Sequence, residues 1–292
     1  MATLVLTPGL KKNECLCEDG EPQAPTLPSV EDEDAHIIIP EWRLQKVQSP
    51  IELTHDETNE YDHFEPLEYH GHWDQGGKAL FTNNGYTVTL RFQDRELPIL
   101  LGGPLHNDQY VFEQLHFHWS HDDHSGCEHI FEGKAYSMEA HAVHYNKKYS
   151  DFKEAHDKHD GLAVVAFFIH ATDDDEHPCF NKMTEGVKKI QKINTTTEVA
   201  SDCLTWMSEA AKCKGYYTYQ GSLTTEPYTE SVTWILYPTP IHVNREQVAH
   251  FRELKSTPCE NFNILKNVRP VQTPPPHKKL DIIYARSHKK SD

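Results

Sequence analysis

From Gln48 onward, short runs of alternating apolar and polar residues recur between turn-forming residues. Side chains of a β-strand point to opposite faces with a period of two, so such runs predict strands with one face toward a core. The runs are Tyr86–Phe92, Glu113–Trp119, Met138–Tyr145, Leu162–Ile169 and Ser231–Leu236. Helical spacing is confined to Met183–Ile193, Thr205–Ala211 and Asn244–Leu254, the last with Asn244 as a candidate N-cap. The pattern predicts a strand-rich, mainly β domain with few helices and no internal repeat. Residues 1–40 carry Pro8, Pro22, Pro25, Pro28 and acidic clusters without amphipathic periodicity, which predicts a mobile tail. After Pro274-Pro-Pro276, the chain end reads as a surface strand and a short basic tail over 286–292.

At 292 residues the chain suits one large domain or two small ones, and its 37% hydrophobic content is enough for a sizeable core. No apolar run approaches the ~20 residues of a membrane span. Leu4-Val-Leu6 is too short for a signal-peptide core. The acidic residues Glu14, Glu18, Asp19, Glu21 and Glu31-Asp-Glu-Asp34 do not suit a mitochondrial leader, so the cytoplasm is the expected compartment. A formal charge of −17 argues against nucleic acid and an anionic membrane surface as partners. Seven scattered cysteines with no Cys-x-x-Cys motif predict reduced thiols.

The candidate chemistry lies on two of the strands. In Glu113–Trp119, Gln114, His116 and His118 share one face, while Leu115, Phe117 and Trp119 share the other. In Met138–Tyr145, Glu139, His141 and Val143 face away from Ala140, Ala142 and His144. With 21 histidines in the chain, a single His-x-His spacing carries little weight. If the two strands are antiparallel neighbours, however, His141 completes a set of three. Three His ligands with one open position make a catalytic rather than a structural zinc site.

The surrounding motifs are more specific. They are Gln114-x-His116-x-His118-Trp119, Glu128-His129, Glu139-x-His141-x-Val143-His144-x-Asn146, Gly221-Ser-Leu-Thr-Thr225 and Val232-Thr-Trp234. Gln48-Ser-Pro-Ile51, Asn83-Asn-Gly85, Gly102-Gly-Pro-Leu105 and Asn267-x-Arg269-Pro270-x-Gln272 add to them. In order and approximate spacing this chain resembles the α-class carbonic anhydrases over about Gln48 to Ile283. The resemblance implies one catalytic domain (41–285) around a large, mostly antiparallel, twisted sheet with short peripheral helices and a central zinc cleft.

It further implies zinc (Zn2+) as cofactor, with His116, His118 and His141 as ligands. Their second nitrogens would be held by Gln114, the backbone carbonyl of Asn267, and Glu139 respectively. Thr224 would accept a proton from the nucleophile in a hydrogen bond and donate its own to Glu128, which needs a hydroxyl beside an acceptor-only carboxylate. Val143, Val164, Leu223, Val232 and Trp234 would wall an apolar slot for carbon dioxide. Thr225 would contact bicarbonate, and sulfonamide and anion inhibitors are expected. His144 is expected in the core, His129 in a structural hydrogen bond, and His121 and His124 in solvent.

Four positions depart from the family pattern. Nothing in residues 1–47 reproduces its Trp-x-Tyr-Gly segment, and Glu226 replaces a usual proline. Tyr86 stands where a proton-shuttling His is common. Tyr228 stands where secreted members commonly have Cys, consistent with an intracellular enzyme lacking the usual disulfide. The expected activity is reversible hydration of carbon dioxide to bicarbonate and a proton. The alternative is a non-catalytic carbonic anhydrase-like binding module, although such relatives typically lose a zinc-binding His.

Overall fold

The computed structural model describes residues 46–61, 64–212, 215–257, 262–278 and 280–286. The tail expected over 1–40, the region lacking Trp-x-Tyr-Gly up to residue 45, and residues 287–292 lie outside the described residues.

Strands dominate. The first are β1 (Glu52–Leu53), β2 (Asn59–Tyr61), β3 (Glu68–His70), β4 (Lys78–Asn83), β5 (Val88–Gln93) and β6 (Ile99–Leu101). There follow β7 (Tyr110–Trp119), β8 (Ile130–Phe131), β9 (Met138–Asn146), β10 (Leu162–Thr172) and β11 (Thr195–Val199). The last are β12 (Gly215–Gly221), β13 (Val232–Asn244) and β14 (Ile283–Arg286). Between them lie short helices α1 (Phe152–Ala155), α2 (Asn181–Lys189), α3 (Met207–Ala211) and α4 (Arg245–Arg252).

Twelve strands form one twisted sheet whose main path runs β11-β4-β5-β7-β9-β10-β13-β12-β14-β2, with β6 pairing β7 and β3 pairing β6. Within it β10/β13 and β14/β2 are parallel, and the other pairs are antiparallel. The sheet is therefore mixed but mostly antiparallel, as expected. The terminal strand corrects one expectation. Because β14 pairs on both sides, with β12 and β2, and buries Ile283 and Ala285, it is an interior strand rather than a surface one.

The central strand β7 starts three residues earlier than its alternation suggests. A register shift between Phe112 and Gln114 against β9 leaves Glu113 as an extra residue. Phe112 pairs with His144, and Leu115 with Ala142, so even-numbered Phe112 joins the face of odd-numbered Leu115, Phe117 and Trp119. All four are buried. The bulge absorbs a change of phase that would otherwise turn Phe112 toward the histidine face.

Helices cover that apolar face. Phe251 of α4 lies 5.1 Å from the Phe117 ring and 5.7 Å from that of Trp119, and Trp206 and Phe180 complete the layer. Asn244 caps α4 as predicted. Its Oδ1 accepts from Glu246 N at 2.8 Å, while Gln247 Oε1 accepts from Asn244 N at 2.9 Å, so two end donors are satisfied reciprocally. The helix expected over 183–193 is α2, displaced toward the N-terminus and ended by Ile190. The third is α3, with the 3-10 turn Cys203–Trp206 before it.

Cys127, Cys179 and Cys203 are free, and burial pushes the thiols of Cys127 and Cys203 up to about 12, which keeps them unreactive. Thiol titration of the native protein under denaturing, non-reducing conditions should find seven free cysteines. A native intrachain disulfide would overturn the expectation of reduced thiols.

Candidate metal centre and active site

The register of β7 against β9 assembles the site. His116 stands opposite His141, Gln114 opposite Val143 and His118 opposite Glu139, and antiparallel partners share a face. The imidazole centroids are 5.0 Å (His116–His118), 5.1 Å (His116–His141) and 4.6 Å (His118–His141) apart. One ligand nitrogen from each lies within 4.8 Å of the others.

The remaining nitrogens are committed elsewhere. His116 Nδ1 lies 3.0 Å from Gln114 Oε1, His118 Nδ1 lies 2.9 Å from the Asn267 carbonyl, and His141 Nε2 lies 2.7 Å from Glu139 Oε1. An acceptor on one ring nitrogen places the proton there and frees the lone pair of the other. That leaves His116 Nε2, His118 Nε2 and His141 Nδ1 for a common ion. His118 Nε2 is buried with no hydrogen-bond partner among the described residues, a costly state that a metal ion relieves. Burial, reinforced by the neighbouring imidazoles, holds His116 well below its ordinary value and lowers His141 also. Both are neutral at pH 7, the form that ligates metal. The donor set fits zinc.

Two of the three holding groups, Asn267 and Glu139, are themselves held. Asn267 Oδ1 accepts from Trp119 N at 2.7 Å, and its Nδ2 donates to the carbonyls of Phe117 (3.0 Å) and Tyr86 (2.9 Å). Glu139 Oε2 accepts from the backbone N–H groups of Glu128 and His129, both at 2.8 Å, and its Oε1 is shared by His141 and His129 Nδ1 at 2.7 Å each. Burial would raise this carboxyl, but the two imidazoles and their hydrogen bonds hold it well below the carboxylate range. The cluster His129–Glu139–His141 also has ligand-like spacing, yet its atoms are spent on one another.

From His129 the network continues outward. Its Nε2 lies 2.8 Å from the Tyr219 hydroxyl, which donates to Ser49 Oγ at 2.7 Å. Ser49 Oγ accepts from Ser222 N at 3.0 Å, two residues before Thr224. Sequence reasoning had placed His129 in a structural hydrogen bond but missed Tyr219 and Ser49. Tyr219 stands opposite Trp234 on β12 and β13, a register that no local sequence pattern announces.

Glu128 is buried deep beside the histidines. Its Oε1 accepts from Arg269 N at 2.8 Å and lies 3.3 Å from His118 Nδ1, whereas Oε2 is buried without a hydrogen-bond partner among the described residues. Thr224 is also buried, but among the described residues no hydrogen bond joins it to Glu128. Its neighbour Thr225 is exposed.

An apolar wall adjoins the imidazoles. Val164 on β10 is in register with Val143 on β9 and Trp234 on β13, and the Trp234 ring lies 4.9 Å from that of His141. Val143, Val164, Val232 and Trp234 belong to one buried cluster, with Leu223 packed against it. His144, on the opposite face as expected, is a core residue. Its Nδ1 lies 3.0 Å from the Ala142 carbonyl and its Nε2 3.0 Å from His72 Nε2, and burial holds it down to about 4. His121 and His124 are exposed.

Comparison with known proteins agrees with this geometry. A family profile described as eukaryotic-type carbonic anhydrase matches residues 39–278. The chain belongs to this family. It is 37% identical over 229 residues to carbonic anhydrase 7 of Mus musculus, covering 77% of this chain and 84% of the relative. It is 34% identical over 243 residues to carbonic anhydrase 3 of Homo sapiens, covering 81% and 89%. Mitochondrial carbonic anhydrase 5B of Mus musculus is 36% identical over 197 residues, covering 65% and 60%. As a carbonic anhydrase, the protein is a carbonate dehydratase.

In this carbonic anhydrase Tyr86 is 80% exposed. It sits in a turn held by Asn84 Oδ1, which accepts from the N–H groups of Tyr86 and Thr87 at 2.9 Å each. Its carbonyl accepts from the Asn267 side chain, so this turn is tied to the residue that orients His118.

Proposed function

We propose that this carbonic anhydrase catalyses the reversible hydration of carbon dioxide with zinc held by His116, His118 and His141. The observation that carries the reading is the buried, unpartnered Nε2 of His118, converging with His116 and His141 while every opposite ring nitrogen has an acceptor. Bound there, zinc supplies an acidified water as nucleophile at neutral pH, a property for which carbonic anhydrases are themselves the standard example.

The protein's own groups then divide the work. Gln114, Glu139 and the Asn267 carbonyl fix the rings. Val143, Val164 and Trp234 offer carbon dioxide a dry surface beside them. The Thr224 hydroxyl orients the nucleophile, with the Glu128 carboxylate as its acceptor and Thr225 in contact with bicarbonate. Leu223 and Val232 complete the apolar wall, Val232 from within the core. Stopped-flow hydration with and without a zinc chelator tests the whole reading. Activity should vanish on chelation and return with zinc, while activity indifferent to the chelator would overturn it. The alternative is a non-catalytic carbonic anhydrase-like module, and the retention of all three histidines favours the catalytic reading over it.

The free thiols of Cys127, Cys179 and Cys203 suit a reducing compartment, and we assign the enzyme to the cytoplasm. Among the described residues no helix is long and apolar enough to cross a membrane.

Proton export makes a separate demand. A transfer group works best when its pKa lies near the operating pH, which an imidazole satisfies at ~6.5 and a phenol at ~10 does not. Tyr86 projects into solvent. Tyr86→His should therefore raise kcat in dilute buffer, toward the ~10²-fold that a positioned proton-transfer group contributes, with little change in kcat/KM. Rates across a buffer series check this. Equal kcat in dilute buffer for both proteins would show that Tyr86 is no bottleneck.

A further inference from the structure

Three distant segments meet at the outer end of the Thr224 loop. Tyr228 N donates to the Thr225 carbonyl at 2.8 Å, closing a four-residue turn directly after the two threonines. Leu223 N donates to the Thr229 carbonyl at 3.0 Å across the base of the same loop. Tyr228 has φ of 58°, in the left-handed region where a bulky residue is strained. Such strain persists only where the surroundings over-determine it.

Two contacts do so. Gln48 Nε2 donates to the Tyr228 carbonyl at 3.2 Å, and the Arg269 guanidinium lies over the Tyr228 ring with Cζ 4.0 Å from its centroid. The edge of the same guanidinium donates through Nη1 to the Ser49 carbonyl at 2.5 Å and to Gln48 Oε1 at 3.1 Å. From its backbone, Arg269 donates to Glu128 Oε1. One residue therefore grips the loop that carries Thr224 with its side chain and the buried carboxylate with its main chain.

We propose that Arg269, stacked on Tyr228, is a positioning residue that fixes the Thr224 loop relative to Glu128. This rests on the carbonic anhydrase reading above, in which that spacing matters to the reaction. The chemistry of the contact is specific to arginine. A planar guanidinium can stack by its face and donate by its edge at once, whereas a lysine ammonium cannot. Displacements of about 1 Å at a reacting centre cost up to ~10²-fold in rate, so a loosened loop is costly even if every residue remains present.

The test compares wild type, Tyr228→Leu, Tyr228→Phe and Arg269→Lys, all zinc-loaded. None of these changes removes the backbone bond from residue 269 to Glu128. Tyr228→Leu and Arg269→Lys should lower kcat/KM for hydration by roughly five- to tenfold while leaving kcat at saturating buffer and zinc content unchanged. Amide exchange across residues 222–231 should quicken in both. Tyr228→Phe keeps the aromatic face and should match wild type in every readout. Native kcat/KM and exchange in Tyr228→Leu would overturn the proposal, as would a Phe variant impaired as much as the Leu variant. If wild type itself hydrates no carbon dioxide, the carbonic anhydrase reading fails. Exchange then decides the clamp alone, faster exchange in Leu but not Phe supporting it and equal exchange overturning it.

Discussion

His141→Ala protein should purify with little or no zinc and no measurable hydration activity. His141 is the one member of the ligand set supplied by β9, and its Nδ1 is the nitrogen left free once Glu139 takes Nε2. Losing an outer partner of a metal ligand typically costs ~10–100-fold in metal affinity, and losing a ligand itself should cost more. The fold should survive. Glu139, the buried carboxylate hydrogen-bonded to His141, retains two backbone N–H groups on Oε2 and His129 on Oε1, and Glu128, 4.0 Å from His141 Nδ1, retains Arg269 N on Oε1. Neither carboxylate is thus left unpaired, the condition that makes removal of a buried partner most destabilising. Zinc analysis by mass spectrometry, alongside circular dichroism, checks both halves. A folded variant with native zinc content and affinity would remove His141 from the ligand set.

The second large effect concerns Thr224. Thr224→Val preserves the shape of a β-branched side chain and removes the hydroxyl, so a zinc-loaded, folded variant should result. Its kcat/KM should fall by ~10²-fold, the usual cost of deleting one preorganised hydrogen bond to a reacting group. The expectation is sharpened by Glu128, whose Oε2 is buried beside the imidazoles with no hydrogen-bond partner among the described residues. A carboxylate oxygen in that state is a ready acceptor for a threonine hydroxyl. Stopped-flow kinetics on the variant are decisive, since native kcat/KM with full zinc would make Thr224 a structural residue only.

The site was more legible than the sheet around it, for a physical reason. Ligands on one strand are two residues apart, and period-two alternation alone puts His116, His118 and Gln114 on one face. The pairing of β7 with β9 was a condition that the alternation could not supply, because register depends on contacts distant in sequence. Strands of two or three residues, such as β1, β2, β3, β6 and β8, are too short to show a period. Arg269 and Ser49 stand out in the sequence only as motif residues, because their roles arise from hydrogen bonds spanning more than a hundred residues. The Thr224–Glu128 pair illustrates the opposite limit, since the family resemblance implies a hydrogen bond between them that is not formed among the described residues and stays a proposal. The acidic tail and the missing Trp-x-Tyr-Gly segment fall outside the described residues.

The extra residue in β7 gives the protein a form of insulation. Upstream of Glu113 the strand sets Phe112 in the core, and downstream of it the alternation carries both the core residues Leu115, Phe117 and Trp119 and the opposite face with His116 and His118. The Glu113 side chain is anchored sideways to Arg91 on β5, so the kink is fastened rather than loose. An insertion or deletion before the bulge can therefore be taken up there without rotating His116 and His118 off their face. Mutational drift in the first half of the strand is decoupled from the chemistry of the second, and sequence change should accumulate unevenly along a single strand, with its tolerance changing abruptly at one residue.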